Sequence, residues 1–270
     1  MSRFNTILIT GAAGGIGSVL RDALRPHCRL MRCSDLGDIE PQAPHEESFA
    51  FDLRDAESAM KAMEGIDIVY HMGGIPLEDN WENIRDVNIE GTYNIYEAAR
   101  VKGVKRVVFA SSNHAMGFYR RSTTVGQGET PRPDSRYGVS KVFAEALGRL
   151  YADKHGLETI SLRIGQFRPR PTNRRMLSLW LSPADMGRLG VSCLNAEDIH
   201  FEVVYGISAN KRVWYDNPGG RKIGYEPRDC AEDYAAELGE EAMREDPVEA
   251  AFQGGPYCSA EFDGSLDRID

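Results

Sequence analysis

Short apolar stretches alternate along this chain with longer segments in which apolar residues recur at helical spacing. The first apolar stretch, from Asn5 to Thr10, is rich in β-branched residues. Apolar runs of this kind, bounded by turn residues, are typical of buried strands. The same pattern predicts strands at about residues 5–10, 28–34, 48–52, 66–70, 105–110, 158–163 and 200–207, with helices between them.

This order of elements predicts an α/β protein. Strands that alternate with helices form βαβ units, whose strands lie parallel in one sheet. We therefore expect a doubly wound Rossmann-type parallel sheet of about seven strands, with helices on both faces. A chain of 270 residues is long enough to form one such domain with a substantial core.

A glycine-rich turn, Gly11 to Gly17, separates the first predicted strand from a helical pattern. Strand, glycine turn and helix in this order are typical of dinucleotide binding, because the backbone approaches the pyrophosphate and the helix N-terminus supplies N–H donors. A glycine turn alone is often only structural. Asp35 strengthens the prediction, since it ends the second predicted strand, where a carboxylate binds the ribose hydroxyls. Asp35 would repel a 2′-phosphate, so NAD is favoured over NADP unless nearby Arg32 turns toward it.

Further residues at predicted strand ends extend this cofactor site. Asp52 and Leu53 follow the third strand, where a carboxylate and a backbone N–H meet an adenine. The turn from Met72 to Gly74 follows the fourth strand and would run along the ribose and pyrophosphate. Asn88, in the helix predicted from Trp81 to Val101, would fix the backbone near the site, although a lone helical asparagine is usually a surface residue.

Tyr137 and Lys141 are four residues apart and therefore lie on one face of a helix. An ammonium beside a phenol is expected to lower the phenol's pKa toward neutrality and make it a usable base. Ser112, at the end of the fifth predicted strand, would orient the substrate oxygen. Tyr-x-x-x-Lys is common on helix surfaces, so the positions of these residues after the glycine turn carry the prediction of a hydride-transfer site.

An arginine-rich segment follows the sixth predicted strand. Five arginines occur between Ser161 and Met176, and no acidic residue lies between Glu158 and Asp185. A guanidinium pairs with a carboxylate or phosphate through two hydrogen bonds, so the segment indicates an anionic substrate, with Arg175 as the candidate contact. The alternative is a surface cluster that supports an oligomer contact.

Composition and charge disfavour a nucleic-acid partner. A net charge of −9 and a pI of about 5.3 disfavour nucleic acid.

No apolar run approaches ~18 residues, and the opening Met1 to Phe4 leads straight into a strand, so we expect no membrane span, no signal peptide and a cytoplasmic protein. The five cysteines lack Cys-x-x-Cys spacing, which argues against disulfides and a metal site.

The combined motifs resemble those of the extended short-chain dehydrogenase/reductase superfamily, through Thr10 to Gly17, Asp52-Leu53, Asn88 and Tyr137 to Lys141. Within it, five strings resemble the uronate dehydrogenase family over nearly the whole chain: His71 to Ile75, Ala110 to His114, Arg163 to Gly165, Arg175 to Trp180 and Trp214 to Asn217. In that family NAD accepts a hydride from the anomeric carbon of glucuronate or galacturonate, which gives an aldarolactone.

The resemblance implies roles for individual residues. Tyr137 would be the base, Lys141 would hold the nicotinamide ribose and tune Tyr137, and Ser112 would bind the reacting oxygen. The implied substrate site is Ile75, Ser112, Asn113, His114, Tyr137, Gln166 and Arg175. The predicted cofactor site is Gly11, Gly14, Gly15, Ile16, Gly17, Asp35, Asp52, Leu53, Met72, Gly73, Gly74, Asn88, Lys141 and Ile164.

Some questions stay open at this point. Pro76 and Gln166 stand where serines that touch the substrate are expected, so the preferred uronate epimer is undetermined. A nucleotide-sugar epimerase or dehydratase shares the glycine turn and the Tyr/Lys pair, but the chain after Arg163 leaves little for a lobe that holds a nucleoside diphosphate. A non-catalytic NAD-sensing protein would not need Ser112, Tyr137 and Lys141 together.

The organisation follows from these assignments. We expect one domain with a cofactor-binding part at about residues 1–160 and a small substrate-binding part at about residues 161–270. The loop from Arg120 to Arg136 is expected at the substrate entrance, and the tail after Pro247 would cover a neighbouring subunit in a homo-oligomer. The expected partner is a small sugar acid.

Overall fold

The computed structural model describes residues 3–269, so Met1 and Ser2 of the predicted N-terminus lie outside the described residues. A seven-stranded sheet with all neighbours parallel forms its centre, in the order β3-β2-β1-β4-β5-β6-β9. The strands are β1 (Thr6–Thr10), β2 (Leu30–Ser34), β3 (Glu46–Ser48), β4 (Ile68–His71), β5 (Arg106–Ser112), β6 (Glu158–Ile164) and β9 (Phe201–Gly206), and a separate two-stranded sheet pairs β7 (Gln166–Phe167) with β8 (Trp180–Leu181). The predicted fold class is confirmed.

Helices cover both faces of the sheet. They are α1 (Gly15–Leu24), α2 (Ala56–Ala62), α3 (Trp81–Asn83), α4 (Gly91–Lys102), α5 (Arg136–His155), α6 (Met176–Leu179), α7 (Pro183–Asn195), α8 (Pro218–Lys222), α9 (Pro247–Ala251) and α10 (Pro256–Ser259). One apolar core packs α1 and α7 onto the sheet, and a second packs α2, α4 and α5 onto the other face. Because both faces are covered, β1 and β4 are buried at every position rather than at alternate ones.

The third strand lies earlier than its apolar pattern predicts. The pattern indicates residues 48–52, whereas β3 ends at Ser48. Phe49 and Phe51 follow it, and their N–H groups bond to the carbonyls of Cys33 and Asp35 at 3.0 Å each. Phe51 is buried in the core, so the alternation of the two phenylalanines reflects packing beyond the end of the strand.

The helical stretch from Trp81 to Lys102 contains a π-helical segment, Ile84–Glu90. The N–H of Gly91 bonds to the carbonyl of Asp86, five residues earlier. Segments of this kind are frequent at functional sites because the wider turn changes the direction of side chains. Here the segment carries Asn88, whose side chain is buried.

The C-terminal tail packs on its own chain. Phe252 is fully buried and forms an antiparallel bridge with Arg120, and the Gln253 amide donates to the carbonyls of Arg120 and Thr123. These contacts hold this part of the tail over the loop of residues 120–136 of its own chain, and coverage of a neighbouring subunit stays a prediction. Between residues 3 and 269, no helix has the length and apolarity that crossing a membrane requires.

Candidate active site

A cleft of about 610 Å³ opens at the carboxyl ends of the central strands. Strand β1 lies between β2 and β4, where the strand order reverses, and ligands of open α/β sheets bind in the crevice at this point. Most predicted site residues line the cleft: Gly11, Gly14, Gly15, Ile16, Gly17, Asp35, Asp52, Leu53, Met72, Gly73, Gly74, Ile75, Ser112, Tyr137, Lys141, Ile164 and Gln166. A larger, shallower hollow of about 720 Å³ between α1 and α7 contains none of them.

The glycine turn is as tight as its sequence predicts. Gly11 has a φ of +67°, and a Cβ there would lie 2.7 Å from the backbone nitrogen of Gly73. A Cβ on Gly17 would lie 2.1 Å from the Gly11 carbonyl oxygen. Both positions exclude larger side chains, so the turn packs against the end of β4 and directs the N-terminus of α1 into the cleft.

Asp35 stands at the mouth of the cleft, just past β2. Its carboxylate accepts hydrogen bonds from the backbone N–H of Ala13 at 3.1 Å and of Leu36 at 2.9 Å. Arg32 bonds to Glu47 at 2.6 Å and to the carbonyl of Ala62 at 2.7 Å. The Arg32 guanidinium therefore points away from Asp35 and is not free to pair with a 2′-phosphate there.

Asp52 lines the same cleft and is paired with Arg54. The shortest contact between the two side chains is 2.6 Å, and this pairing holds the pKa of Asp52 below its usual value. Arg54 and Phe51 also line the cleft, although the sequence patterns do not single them out.

Asn88 does not line the cleft. Its side-chain oxygen accepts from the N–H of Ile75 at 2.8 Å, and its amide donates to the Ile75 carbonyl at 3.0 Å and to the Ser140 hydroxyl at 3.3 Å. Asn88 is predicted to belong to the cofactor site, but its side chain does not reach the cleft. The π-helical segment directs that side chain at the loop after β4, so its role in the site is indirect. Asn88 fixes the backbone of Ile75, which does line the cleft.

Tyr137 and Lys141 lie together at the start of α5, as their spacing predicts. The Lys141 Nζ is 5.1 Å from the centre of the Tyr137 ring and 5.0 Å from that of Phe109. Both side chains are buried, and burial lowers the pKa of Lys141 to about 8. Among residues 3–269, no carboxylate lies within 4.0 Å of Lys141. The buried ammonium thus faces the cleft without a counter-ion.

Burial raises the pKa of the Tyr137 phenol, and an interaction with the Ser112 hydroxyl opposes this shift. The prediction that Lys141 lowers this pKa toward neutrality is wrong for the protein alone. Phenol and ammonium share one poorly solvated region, and removal from water disfavours the charged form of each group. The phenol of the protein alone is therefore protonated at neutral pH.

Arg175 is buried beside the cleft and is held by polar groups that carry no charge. Its Nε donates to the carbonyl of Gln253 at 2.7 Å, and its Nη1 donates to the Gln166 side-chain oxygen at 3.2 Å. The neighbours of Asn113 fix which way its side-chain amide faces. In that orientation the Asn113 oxygen accepts from Arg175 Nη2 at 2.7 Å, and the Asn113 nitrogen donates to the Ile164 carbonyl at 3.1 Å. Burial lowers the pKa of Arg175.

Arg175 has no carboxylate within 4.0 Å anywhere in the described part of the chain. By contrast, the buried Arg163 pairs with Glu145 at 2.8 Å and the buried Arg106 pairs with Glu158 at 2.7 Å. A buried cation without a partner is costly, and such groups mark functional sites. The alternative of a surface arginine cluster is excluded for Arg175, because the side chain is buried.

His114 lies behind the cleft with Asn113 and Arg175. Its Nδ1 is 2.7 Å from an Asp134 oxygen, and its ring centre is 4.0 Å from that of Tyr257 and 6.0 Å from that of Tyr137. Asp134, Gln253 and Tyr257 are contacts that sequence patterns do not reveal. The turn residues Gly254-Gly255-Pro256 are the only local signal that the tail makes a sharp bend here.

The comparisons with known proteins agree with this geometry. The sequence pattern of the NAD dependent epimerase/dehydratase family matches residues 7–205. The chain therefore belongs to the NAD dependent epimerase/dehydratase family.

Within that family, the chain is similar to uronate dehydrogenases over nearly its whole length. It is 44% identical over 259 residues to a uronate dehydrogenase of Pseudomonas syringae pv. tomato, an alignment that covers 95% of this chain and 94% of the relative. A glucuronic acid dehydrogenase structure from Chromohalobacter salexigens is 40% identical, with a TM-score of 0.91 and coverage of 98% of this chain and 99% of the other.

A variant of the uronate dehydrogenase from Agrobacterium tumefaciens, in complex with NAD, is 41% identical to this chain. Its TM-score is 0.89, and the match covers 94% of this chain and 97% of the other. The resemblance that the sequence motifs indicate is thus confirmed for whole chains.

Proposed function

We propose that the protein catalyses the NAD-dependent oxidation of hexuronates such as glucuronate and galacturonate at C1, which gives the aldarolactone. The observation that carries the proposal is the buried guanidinium of Arg175, which has no carboxylate within 4.0 Å among residues 3–269 and bonds to the cleft residue Gln166. A uronate differs from an aldose by one carboxylate, and a carboxylate pairs with a guanidinium through charge-assisted hydrogen bonds.

The cleft residues fit NAD. The closely packed glycine turn and the start of α1 would hold the pyrophosphate, and Asp35 would accept from the ribose hydroxyls. Asp52 and Leu53 would meet the adenine. Lys141, whose ammonium lacks a counter-ion, would hold the nicotinamide ribose. The relative from Agrobacterium tumefaciens in complex with NAD supports this choice of cofactor.

Tyr137 would remove the proton from the C1 hydroxyl, with Ser112 donating to the same oxygen. NAD, when bound, supplies the hydride acceptor and a positively charged ring. Because burial raises the pKa of Tyr137, the phenol needs added positive charge before it serves as a base. Arg175 would fix the far end of the sugar, so that the chain positions both ends of the reacting molecule.

The substrate end of the site is closed by the chain's own tail, which disfavours a nucleotide sugar. Gly255 packs against Arg175, and the Tyr257 ring covers His114. A nucleoside diphosphate joined to the sugar has no evident place behind these residues. A protein that only senses NAD would gain nothing from burying Arg175 with no carboxylate of residues 3–269 in contact with it.

The test is the absorbance of reduced nicotinamide when the protein is mixed with NAD and galacturonate, with a UDP-sugar in a parallel cuvette. The proposal predicts reduction with free galacturonate alone. No reduction with any uronate, or conversion of the UDP-sugar, would reject it.

Three further expectations accompany the proposal. We assign the cofactor-binding part to about residues 1–160 and the substrate-binding part to about residues 161–270, with Asn113 and His114 contributed by the first part. We also expect a cytoplasmic location, with the five cysteines as free thiols. Association into a homo-oligomer stays a prediction.

A further inference from the structure

His114 and Asp134 form a buried pair directly behind the proposed base. The His114 Nδ1 lies 2.7 Å from an Asp134 oxygen, and 9% of the histidine side chain and none of the aspartate is exposed. The backbone N–H of His114 donates to the Ser112 hydroxyl at 3.2 Å. A Cβ on Gly138, one residue after Tyr137, would lie 2.5 Å from the His114 carbonyl oxygen. The backbone of His114 is therefore packed against Ser112 and against the helical turn that carries Tyr137.

The Asp134 carboxylate is closely packed by two glycines. A Cβ on Gly117 would lie 1.8 Å from its Oδ2, and a Cβ on Gly254 would lie 2.0 Å from the same atom. The Ser135 hydroxyl donates to Oδ1 at 2.8 Å. Two segments far apart in sequence thus leave room for this carboxylate by presenting glycine.

The contact with Asp134 decides which nitrogen of His114 carries the proton. A carboxylate only accepts, so the bond at 2.7 Å requires a proton on Nδ1. Burial lowers the pKa of His114 more than Asp134 raises it, so the ring is neutral at neutral pH. Nε2 then carries a lone pair, and no group of residues 3–269 bonds to it. Fixing one nitrogen through a bond to the other is a common role for a carboxylate beside histidine.

We propose that Asp134 is a positioning residue for substrate: it holds His114 with Nε2 as a fixed acceptor for a hydroxyl of the bound sugar acid. This inference rests on the proposed function. His114 would touch the sugar, and Asp134 would act only through His114. Asp134 thereby makes the site selective for sugars that present a hydroxyl to Nε2, because a substrate without that donor leaves the lone pair unpaired.

The test compares Asp134→Asn in two backgrounds. In the otherwise native protein it should lower kcat/KM for galacturonate about 10-fold, within the range of couplings inside one hydrogen-bond network. In a His114→Ala background the same change should have an effect of less than about 2-fold, since the group it acts through is gone. NAD affinity should be unchanged throughout, because Asp134 does not line the cleft.

A matched control is available on the surface. His200 and Asp153 also form a contact of 2.7 Å, but both side chains are about half exposed, at 58% and 48%, at the end of α5 remote from the cleft. Asp153→Asn should leave kcat/KM unchanged. An equal fall from Asp134→Asn with and without His114, or no fall with His114 present, would overturn the proposal.

A second measurement does not depend on whether Asp134→Asn folds or the enzyme turns over. Nitrogen-15 NMR of the native protein, with the His114 signals assigned by their loss in His114→Ala, should show a protonated Nδ1 and a bare Nε2. A proton on Nε2 would overturn the inference even if uronates are oxidised. Failure of the native protein to oxidise any uronate would instead reject the proposed function and leave the NMR result readable.

Discussion

The Nε of Arg175 donates a 2.7 Å hydrogen bond to the backbone carbonyl of Gln253, 78 residues later in the chain. This bond ties the proposed anion-binding side chain to the C-terminal tail. The tail is anchored in turn by the buried Phe252 and by the Gln253 amide on the loop of residues 120–136. The position of the Arg175 side chain therefore depends on the packing of the tail.

Replacing Arg175 with alanine should separate charged from uncharged substrates. Leaving the substrate carboxylate without its buried partner costs about 3 kcal/mol, so kcat/KM for uronates should fall at least ~100-fold. Activity on an uncharged aldose should change far less, because the aldose has no carboxylate to lose. Arg174→Ala is the matched control, since Arg174 is 58% exposed and lies only loosely near Glu245, at 3.9 Å. Equal losses on both substrate types would remove the proposed role of Arg175.

Replacing Tyr137 with phenylalanine should abolish turnover without weakening NAD binding. The change keeps the ring and removes the proton acceptor, so kcat should fall by about 10²- to 10⁴-fold. Initial rates and NAD affinity measured by fluorescence titration check the two halves of this prediction. Tyr151→Phe, on the same helix with its hydroxyl bonded to Glu97 at 2.7 Å, should retain turnover. Near-native activity of Tyr137→Phe would reject it as the base.

Replacing Asp35 with serine should relax the choice between NAD and NADP. The carboxylate repels a 2′-phosphate, and Arg32 offers no compensating charge because it is bonded to Glu47. The ratio of kcat/KM for NAD to that for NADP should fall about 10-fold or more, as expected when one unit charge is removed near a phosphate. Asp38→Ser, an exposed acid in the same loop, should leave the ratio unchanged. An unaltered ratio in Asp35→Ser would place the discrimination elsewhere.

Replacing Lys141 with methionine should stabilise the fold while abolishing activity. Burial lowers the pKa of Lys141 from 10.5 to about 8, so below pH 8 the folded state bears the cost of a buried charge. Between pH 8 and 10.5 the folded protein sheds this proton before the unfolded chain does, and the cost is relieved as pH rises. Lys141→Met should therefore raise the free energy of unfolding at pH 7 by about 3 kcal/mol.

Denaturant titrations at several pH values check this prediction. The advantage of Lys141→Met should be constant below pH 8 and shrink by about 1.4 kcal/mol per pH unit above it. Lys154→Met, at an exposed position of the same helix, should show no such pH-dependent gain. Destabilisation of Lys141→Met at pH 7 would mean that the charge is not desolvated as the structure indicates.

The cofactor half of the site is predictable from sequence because its signals are local. The glycine turn, Asp35 and the Tyr137/Lys141 pair each lie within a few residues of a strand end or on one helical turn. Periodicity places them, and the sheet then brings the strand ends together. The π-helical segment shows the limit of this reasoning, since residue spacing alone does not reveal that Asn88 turns toward Ile75.

The substrate half is less predictable because its contacts join distant segments. A run of arginines without acids is enough to suggest Arg175, but the tail residue Gln253 that holds it lies in a segment without periodicity. Asp134 and Tyr257 also lie in segments without periodicity, so the sequence does not indicate their contacts with His114. Spacing also places Lys141 near Tyr137 correctly, yet the pKa of the phenol depends on desolvation by residues that the helix pattern does not identify.

The most direct test of the whole account is a crystal structure of Tyr137→Phe with NAD and galacturonate bound, since the inactive variant should retain its substrate. The account predicts the sugar carboxylate within ~3 Å of the Arg175 guanidinium, with the C1 hydroxyl beside Ser112. A carboxylate bound by other residues, or a hexose lying outside this cleft, would contradict it.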